Sequence, residues 1–584
     1  DDLAASVVSR CTGQRRPPHR LPVGVNNQNA GWVLSSAHKR ILPLRNKFCM
    51  AKAAAQRKQT LASPGHARIR VERGLDREIE LKLKLRAQDV AALRARLDRL
   101  AASRSEHIDS LYFDTPDHRL ASAQAALRLR SIGKGRSRRW VQTVKTQLTE
   151  AALCVRGEWE RPAPGGRIDW QSLAQSPLMQ VLGGDTAHGG AQTSDTLAQL
   201  RPVFQTVFDR TAWDLVLDGA HLEAVIDLGE IRAEDRVEAI CEAELELLAG
   251  PQQALVDMAL QLAGAIGRHR ADLCLLPYGM SKAARGYRLA LGRGPVPFAA
   301  NFATAHRFFT PQQRVAEAAR RLVDIGMTTV LANAADFSPA ADSELVHQAR
   351  VAMRRMRTGL DVLGSGAELP AELLHGLRIW ARRFGVVRDW DVLCGDHLPP
   401  LVSAASGSDV AVWKRLFATA IRRRDAARQA LWHQLQTAAF AEFALRALRW
   451  TGSDPAKPGK RLESFARKVL RSRQRRLVAA ARSFSELPLK RQHKARIQAK
   501  GLRYGIEMLQ SSLPKKTRRV GLPALARFQD AAGVARDALF VQALVERLTR
   551  SAAVRRQVGD WAKAQHAAAI VKAQRLAADL KDLF

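Results

Sequence analysis

Glu78-Ile79-Glu80-Leu81-Lys82-Leu83-Lys84-Leu85 alternates charge and hydrocarbon without a break. A period of two is that of a β-strand, whose successive side chains point to opposite faces. The alternation returns in Ala126-Leu127-Arg128-Leu129-Arg130, in Leu222-Glu223-Ala224-Val225-Ile226-Asp227 and in Glu242-Ala243-Glu244-Leu245-Glu246-Leu247. Further strands are expected at 107–113, 138–146, 152–160, 203–208 and 211–217, with helical stretches near 87–101, 252–266 and 280–289. Residues 72–290 therefore read as one strand-rich domain whose strands each carry an apolar and a charged face.

The charged faces are sorted by sign. Glu78, Glu80, Lys82 and Lys84 share one; Arg128 and Arg130 another; Arg156, Glu158 and Glu160 a third; Glu242, Glu244 and Glu246 a fourth. Lys145 closes the Val141-Thr143-Lys145 face. In a closed sheet such faces either look out to water around an apolar core or line a wet tunnel, with the apolar faces packed under helices. Rows of like charge repel unless a ligand of opposite sign neutralises them. Carboxylates at i and i+2 suit a hard divalent cation, and rows of Arg and Lys suit phosphate oxygens. A metal ion with a string of phosphates satisfies both sets.

Glu78-Ile79-Glu80-Leu81-Lys82 resembles the ExExK signature of CYTH domains, the triphosphate tunnel metalloenzymes. The resemblance runs on through Tyr112-Phe113-Asp114-Thr115, Leu127-Arg128-Leu129-Arg130, Thr143-Val144-Lys145 and Arg156-Gly157-Glu158-Trp159-Glu160. It continues in Phe208-Asp209-Arg210-Thr211, Ile226-Asp227-Leu228-Gly229, the Glu242–Glu246 run and Ser281-Lys282-Ala283-Ala284-Arg285-Gly286-Tyr287. It implies an eight-stranded antiparallel β-barrel tunnel that holds a triphosphate. Glu78, Glu80, Glu244 and Glu246 would hold Mg²⁺ or Mn²⁺, with Asp227 and Glu242 in support. Lys82, Lys84, Arg128, Arg130, Lys145, Arg156 and Arg210 would cradle phosphates, and Lys282 and Arg285 would lie on a closing helix. Glu78, Glu80 and Lys82 carry the expected catalysis.

Residues 302–584 change character: Gly and Pro thin out, and Ala, Leu and Arg recur at helical period. Residues 291–301 read as a linker. His347-Gln-Ala-Arg350-Val-Ala-Met-Arg354-Arg-Met-Arg357 matches His493-Lys-Ala-Arg496-Ile-Gln-Ala-Lys500-Gly-Leu-Arg503, and Phe384-Gly-Val-Val-Arg388-Asp389 matches Ala532-Gly-Val-Ala-Arg536-Asp537. The two offsets nearly agree, so one helical unit occurs twice, over about 302–450 and 460–584. Each His-led stripe spans an arc of about 80° at the helical period. A single such stripe reads equally as a solvated basic face; its recurrence favours a shared ligand. Gly385 and Gly533 read as turns, with Asp389 and Asp537 orienting nearby arginines or capping following helices. This half resembles the CHAD domain, the conserved-histidine α-helical domain. The resemblance implies a second, all-α domain of two repeated helical bundles, making the whole chain α+β. It also implies polyphosphate binding by His347, Arg350, Arg354, Arg357, Arg388, His493, Arg496, Lys500, Arg503 and Arg536.

The charge agrees with this division. The chain has 584 residues and a formal charge of +37. Residues 72–300 are balanced, whereas residues 301–584 carry +26 and residues 1–71 carry +11. Such an excess calls for a polyanionic partner. No helix-turn-helix, zinc-finger or RNP pattern is present, and aromatic residues do not interleave with the basic stripes, so specific nucleic-acid binding is not expected. No apolar run is long enough to span a membrane. The six cysteines form no CxxC pair, which points to a reducing, cytoplasmic setting; association with polyphosphate granules is an expectation that the CHAD resemblance adds. Residues 1–70 resemble a transit peptide in being Arg-rich and acid-free, but read better as a disordered basic extension. The expected function is metal-dependent hydrolysis of inorganic triphosphate to pyrophosphate and phosphate, coupled to binding of inorganic polyphosphate. The alternatives are a non-catalytic polyphosphate adaptor and a thiamine or nucleoside triphosphatase.

Overall fold

The computed structural model describes residues 76–146, 153–182, 197–217, 219–265, 269–299, 309–364, 366–406, 409–455, 459–581 and 583. The expected extension at 1–70 lies outside the described residues. Among the described residues nine strands follow in chain order: β1 Asp76–Lys84, β2 Ser103–Asp114, β3 Ala126–Ile132, β4 Arg139–Thr146, β5 Leu153–Pro162, β6 Arg201–Leu217, β7 Ala220–Ala233, β8 Arg236–Ala249 and the two-residue β9 Leu276–Pro277. All pair antiparallel in the order β5-β4-β3-β2-β6-β7-β8-β1-β9, and β5 also pairs with β1.

The strand order thus returns to β1, but through a staggered seam. β1 meets β5 along Asp76–Leu81 and β8 along Glu80–Lys84, so the two ladders share only Glu80 and Leu81. β9 takes up Leu83 and Lys84. The seam differs from the regular cylinder expected: β5 and β8 hold different stretches of β1, and a ninth, two-residue strand takes the end of β1 that β5 leaves. The two strands expected at 203–208 and 211–217 are one. Asp209 and Arg210 interrupt the apolar alternation, yet both keep ladder partners on β2 and β7.

The apolar faces lie outward under helices. Leu81, Leu83 and Leu85 are buried with Leu222, Ile226 and Leu245 against Leu93 and Leu97 of α1 (Val90–Asp98) and Leu255 and Val256 of α2 (Gln253–Leu262). Each fully buried leucine contributes roughly 1.5–3 kcal/mol. The charged face is therefore turned inward. A third helix, α3 (Lys282–Ala290), starts at Ser281, whose hydroxyl accepts from Ala284 N–H at 3.1 Å. Its Ala283 and Tyr287 pack with Tyr112, Phe204 and Phe208. Gly286 permits this approach, since a Cβ there would lie 2.0 Å from the Phe204 ring.

The remaining long helices are α4 Val315–Ala335, α5 Ser343–Leu363, α6 Ala371–Val392, α7 Asp409–Leu435, α8 Ala438–Gly452, α9 Leu462–Ala481, α10 Leu489–Leu509, α11 Leu522–Leu548 and α12 Ala552–Leu576. Helices α4 to α7 correspond in order to α9 to α12, with α8 between the copies. Equivalent helix starts touch: Val315 N–H donates to Lys460 O at 3.0 Å, and Leu462 N–H to Gln313 O at 2.8 Å. Gly385 and Gly533 are not turns. They lie inside α6 and α11, so Asp389 and Asp537 do not cap following helices. A Cβ at Gly385 would lie 2.2 Å from Arg350 Nη1, so the glycine clears a path for that side chain across α6.

Candidate functional sites

Register brings the inward charges together. Between β1 and β8, Glu80 lies opposite Glu246, Lys82 opposite Glu244 and Lys84 opposite Glu242. Asp227 of β7 pairs with Glu242, and Arg210 of β6 pairs with Asp227. Oxygens of Asp227, Glu242 and Glu244 lie within 4.8 Å of one another. Lys282 reaches all three from α3, at 2.7 Å from Asp227, 3.1 Å from Glu244 and in direct contact with Glu242. Lys82 bridges Glu80, at 3.0 Å, to Glu244. Arg210 donates two bonds to Asp227, at 2.8 and 2.7 Å, and one to Glu244 at 3.1 Å. Arg285 holds Glu242 at 2.8 Å and Glu238 at 2.7 Å.

Electrostatics keeps Glu244 and Asp227 ionised. Burial alone would raise the Glu244 carboxyl, but Lys282, Lys82 and Arg210 outweigh it and hold the group well below the usual carboxylate range. Asp227 is lowered in the same way, with Arg210 and Lys282 overcoming its burial. The donors are all anionic oxygens, converging from two adjacent strands, a set that fits a hard divalent cation. Asp227, Glu242 and Glu244 would hold it, with Glu80 linked to them through Lys82. Glu246 is placed beside Glu80 by register. The side chains of Glu78 and Arg156 lie outside the described residues; their backbones are paired across β1 and β5.

The opposite wall is basic. Arg128 and Lys145 share Glu158, at 3.3 and 3.2 Å, and Arg130 donates to Ser110 Oγ at 3.3 Å. Burial, reinforced by Arg128, pushes the Arg130 guanidinium down to about 10. Lys84 points away from the cluster, donating to Ala335 O at the end of α4 at 3.0 Å. Asp114, within the Tyr112–Thr115 motif, is structural: it accepts from the N–H groups of Thr115, Leu120 and Ala121 at 2.7–3.0 Å. Glu238 went unnoticed in sequence because Ile240 separates it from the run of glutamates at 242, 244 and 246.

In the helical half, α5 and α10 bring the two stripes together. Arg350, Arg354, Arg496 and Arg536 all press electrostatically on Lys500. Arg388, Arg354 and Arg350 act on His347, and Arg536 and Arg496 on His493; with burial as the larger cause, both imidazoles are lowered. Arg350 lies 3.8 Å from Asp389, and Arg536 lies 3.3 Å from Asp537. Arg357 is exposed, and Arg503 turns to Glu507 at 2.9 Å. Tyr504 had no signal in the sequence beyond its place on α10; Arg355, Arg354 and Lys500 stand over its ring at 4.8, 5.8 and 5.9 Å.

Residues 76–273 match the CYTH domain and residues 326–546 the CHAD domain. The chain joins a CYTH domain to a CHAD domain. An inorganic triphosphatase of Haemophilus influenzae is 27% identical over 240 residues, which cover 41% of this chain and 60% of that protein. Among solved structures, the CHAD domain from the plant Ricinus communis is 22% identical, with a TM-score of 0.39, covering 50% of this chain and 98% of its own. A putative adenylyl cyclase from Hippeastrum, described as having a dominant triphosphatase activity, is 21% identical, with a TM-score of 0.26, covering 37% and 96%. The CYTH domain contains the carboxylate cluster and the CHAD domain the paired stripes. No helix among the described residues is long and apolar enough to cross a membrane.

Proposed function

We propose that the CYTH domain hydrolyses inorganic triphosphate to pyrophosphate and phosphate with Mg²⁺ or Mn²⁺, and that the CHAD domain binds inorganic polyphosphate. The observation that carries the reading is the carboxylate triad of Asp227, Glu242 and Glu244 facing inward beside Lys82, Arg210 and Lys282. A divalent ion, when bound, supplies Lewis-acid charge and a water of lowered pKa. Lys82 and Lys282 exchange their carboxylates for phosphate oxygens as the ion and substrate enter. Arg128, Arg130, Lys145, Arg156 and Arg210 line the phosphate chain and stabilise charge that grows on its oxygens. Helix α3 keeps Lys282 and Arg285 over the reacting end.

The test is phosphate release from triphosphate, ATP, thiamine triphosphate and long-chain polyphosphate, each with and without Mg²⁺ or Mn²⁺. Turnover is expected to be metal-dependent and greatest on inorganic triphosphate. Silence on all four would leave a polyphosphate-binding adaptor. In the CHAD domain, long-chain polyphosphate is expected to displace RNA at equal phosphate concentration; the opposite result would make the groove a nucleic-acid site.

A further inference from the structure

We propose that the CHAD groove takes up a proton at Lys500 when a phosphate chain binds, so that the chain is held more tightly in acid than in alkaline solution. The inference rests on the reading of this groove as a polyphosphate site. Its foundation is geometric. Lys500 sits where α10 meets α5, under the combined charge of Arg350 and Arg354 from α5, Arg496 from its own helix and Arg536 from α11. Among the described residues it has no carboxylate partner, and its ammonium stands over the Tyr504 ring. The Nε groups of Arg354 and Arg496 are buried with no hydrogen-bond partner among the described residues. The other titratable groups of the groove are His347, His493, Asp389, Asp537 and Tyr504, and Arg355, over the same ring, is engaged by Glu507 at 3.2 Å. On α9, Arg473 is engaged by Asp361 at 2.9 Å.

An ammonium placed among four guanidiniums loses its proton more easily than one in water, and burial adds to this. Lys500 is accordingly pushed down to about 6, by burial first and then by Arg354, Arg496, Arg350 and Arg536. A phosphate chain lying across the seam cancels that repulsion and offers acceptor oxygens to every N–H donor there. The lysine then recovers its proton. Below pH 6 it is already charged, and binding carries no proton cost. As pH rises above 6, each binding event must draw a proton from solvent, and affinity falls by as much as ~tenfold per pH unit until the pKa of the bound lysine is reached.

The experiment is titration calorimetry of the full chain with long-chain polyphosphate, whose interior phosphates stay ionised, in two buffers of different ionisation enthalpy between pH 6.5 and 8.5. About one proton taken up per bound segment, together with a dissociation constant that rises with pH, is expected. Lys500→Arg is expected to bind without that uptake, because a guanidinium stays charged, while His347→Gln and His493→Gln retain it. Uptake that persists in Lys500→Arg, or that vanishes in a histidine variant, overturns the proposal and leaves the groove reading intact. Absence of binding by the unaltered chain at every pH overturns both.

Discussion

The two halves handle positive charge in opposite ways. In the CYTH domain the inward cations Lys82, Arg128, Lys145, Arg210, Lys282 and Arg285 each touch a carboxylate, and Arg130 rests on a serine hydroxyl. In the CHAD groove Lys500 meets, among the described residues, only other cations and a ring. The compensated site is built for exchange, since a metal ion and a phosphate chain can each replace one half of an existing pair. The uncompensated site stores repulsion that a polyanion relieves. A charge-balanced tunnel suits a small substrate that must leave again as product, whereas a cationic groove suits a long chain held by many contacts.

The largest effect is expected where a carboxylate is removed from the compensated site. Glu244 ties Lys82, Lys282 and Arg210 together and belongs to the candidate metal set. Glu244→Gln should lower metal-dependent turnover more than the roughly 10–100-fold that an outer partner of a metal site costs. Polyphosphate binding by the CHAD domain should not change. Steady-state kinetics and a binding titration on the same preparation check both. Full activity in the variant would remove the triad from the chemistry. Glu80→Gln should reduce turnover in the same direction, through loss of the Lys82 anchor.

A second contrast is in stability against pH. Asp227 and Glu244 have depressed pKa values when folded, so their contribution is complete above the unfolded value near 4 and is lost only as pH falls through the lowered folded values. Lys500 gives the same slope in a higher pH window, but as a destabilising charge rather than a stabilising one. Its folded value, about 6, lies below its unfolded one, so between them the unfolded chain binds more protons and stability rises with pH. Thermal unfolding of the full chain should therefore shift upward between pH 6.5 and 8.5, and Lys500→Met should flatten that rise. An unchanged slope in the variant would mean that Lys500 is charged in the unliganded groove.

Much of this was legible because period-two alternation reports direction. Glu80, Lys82, Glu242 and Glu244 could be assigned to one kind of face from the sequence, and the outward leucines followed. Alternation carries no distance, so the six candidate metal ligands could not be reduced to the Asp227, Glu242 and Glu244 cluster before the β7–β8 register was known. Nor could it reveal that Lys84 leaves the group for the end of α4. The repeat offset exposed the helical duplication. Gly385 and Gly533 misled because glycine in sequence suggests a turn, whereas both lie inside helices and at Gly385 the missing Cβ makes room for Arg350 from another helix.

Those two glycines give the smallest and sharpest test, because they occupy matching places in the two copies with unequal clearance. A Cβ at Gly385 would lie 2.2 Å from Arg350 Nη1, but a Cβ at Gly533 would meet Arg496 Nε at an ordinary 3.8 Å. The obstructed atom is the end of a flexible side chain, so Gly385→Ala should move Arg350 off α6, away from Ala381 O and Asp389, without unfolding the helix. Losing the placement of one charged hydrogen-bond donor is worth about 1.5 kcal/mol, roughly a tenfold rise in the dissociation constant for polyphosphate. Gly533→Ala should leave affinity unchanged and raise stability by roughly 0.5–1 kcal/mol, the usual gain from replacing a mid-helix glycine. Equal losses of affinity in the two variants would mean that the copies grip the chain alike, and that the tighter passage of Arg350 across α6 has no bearing on binding.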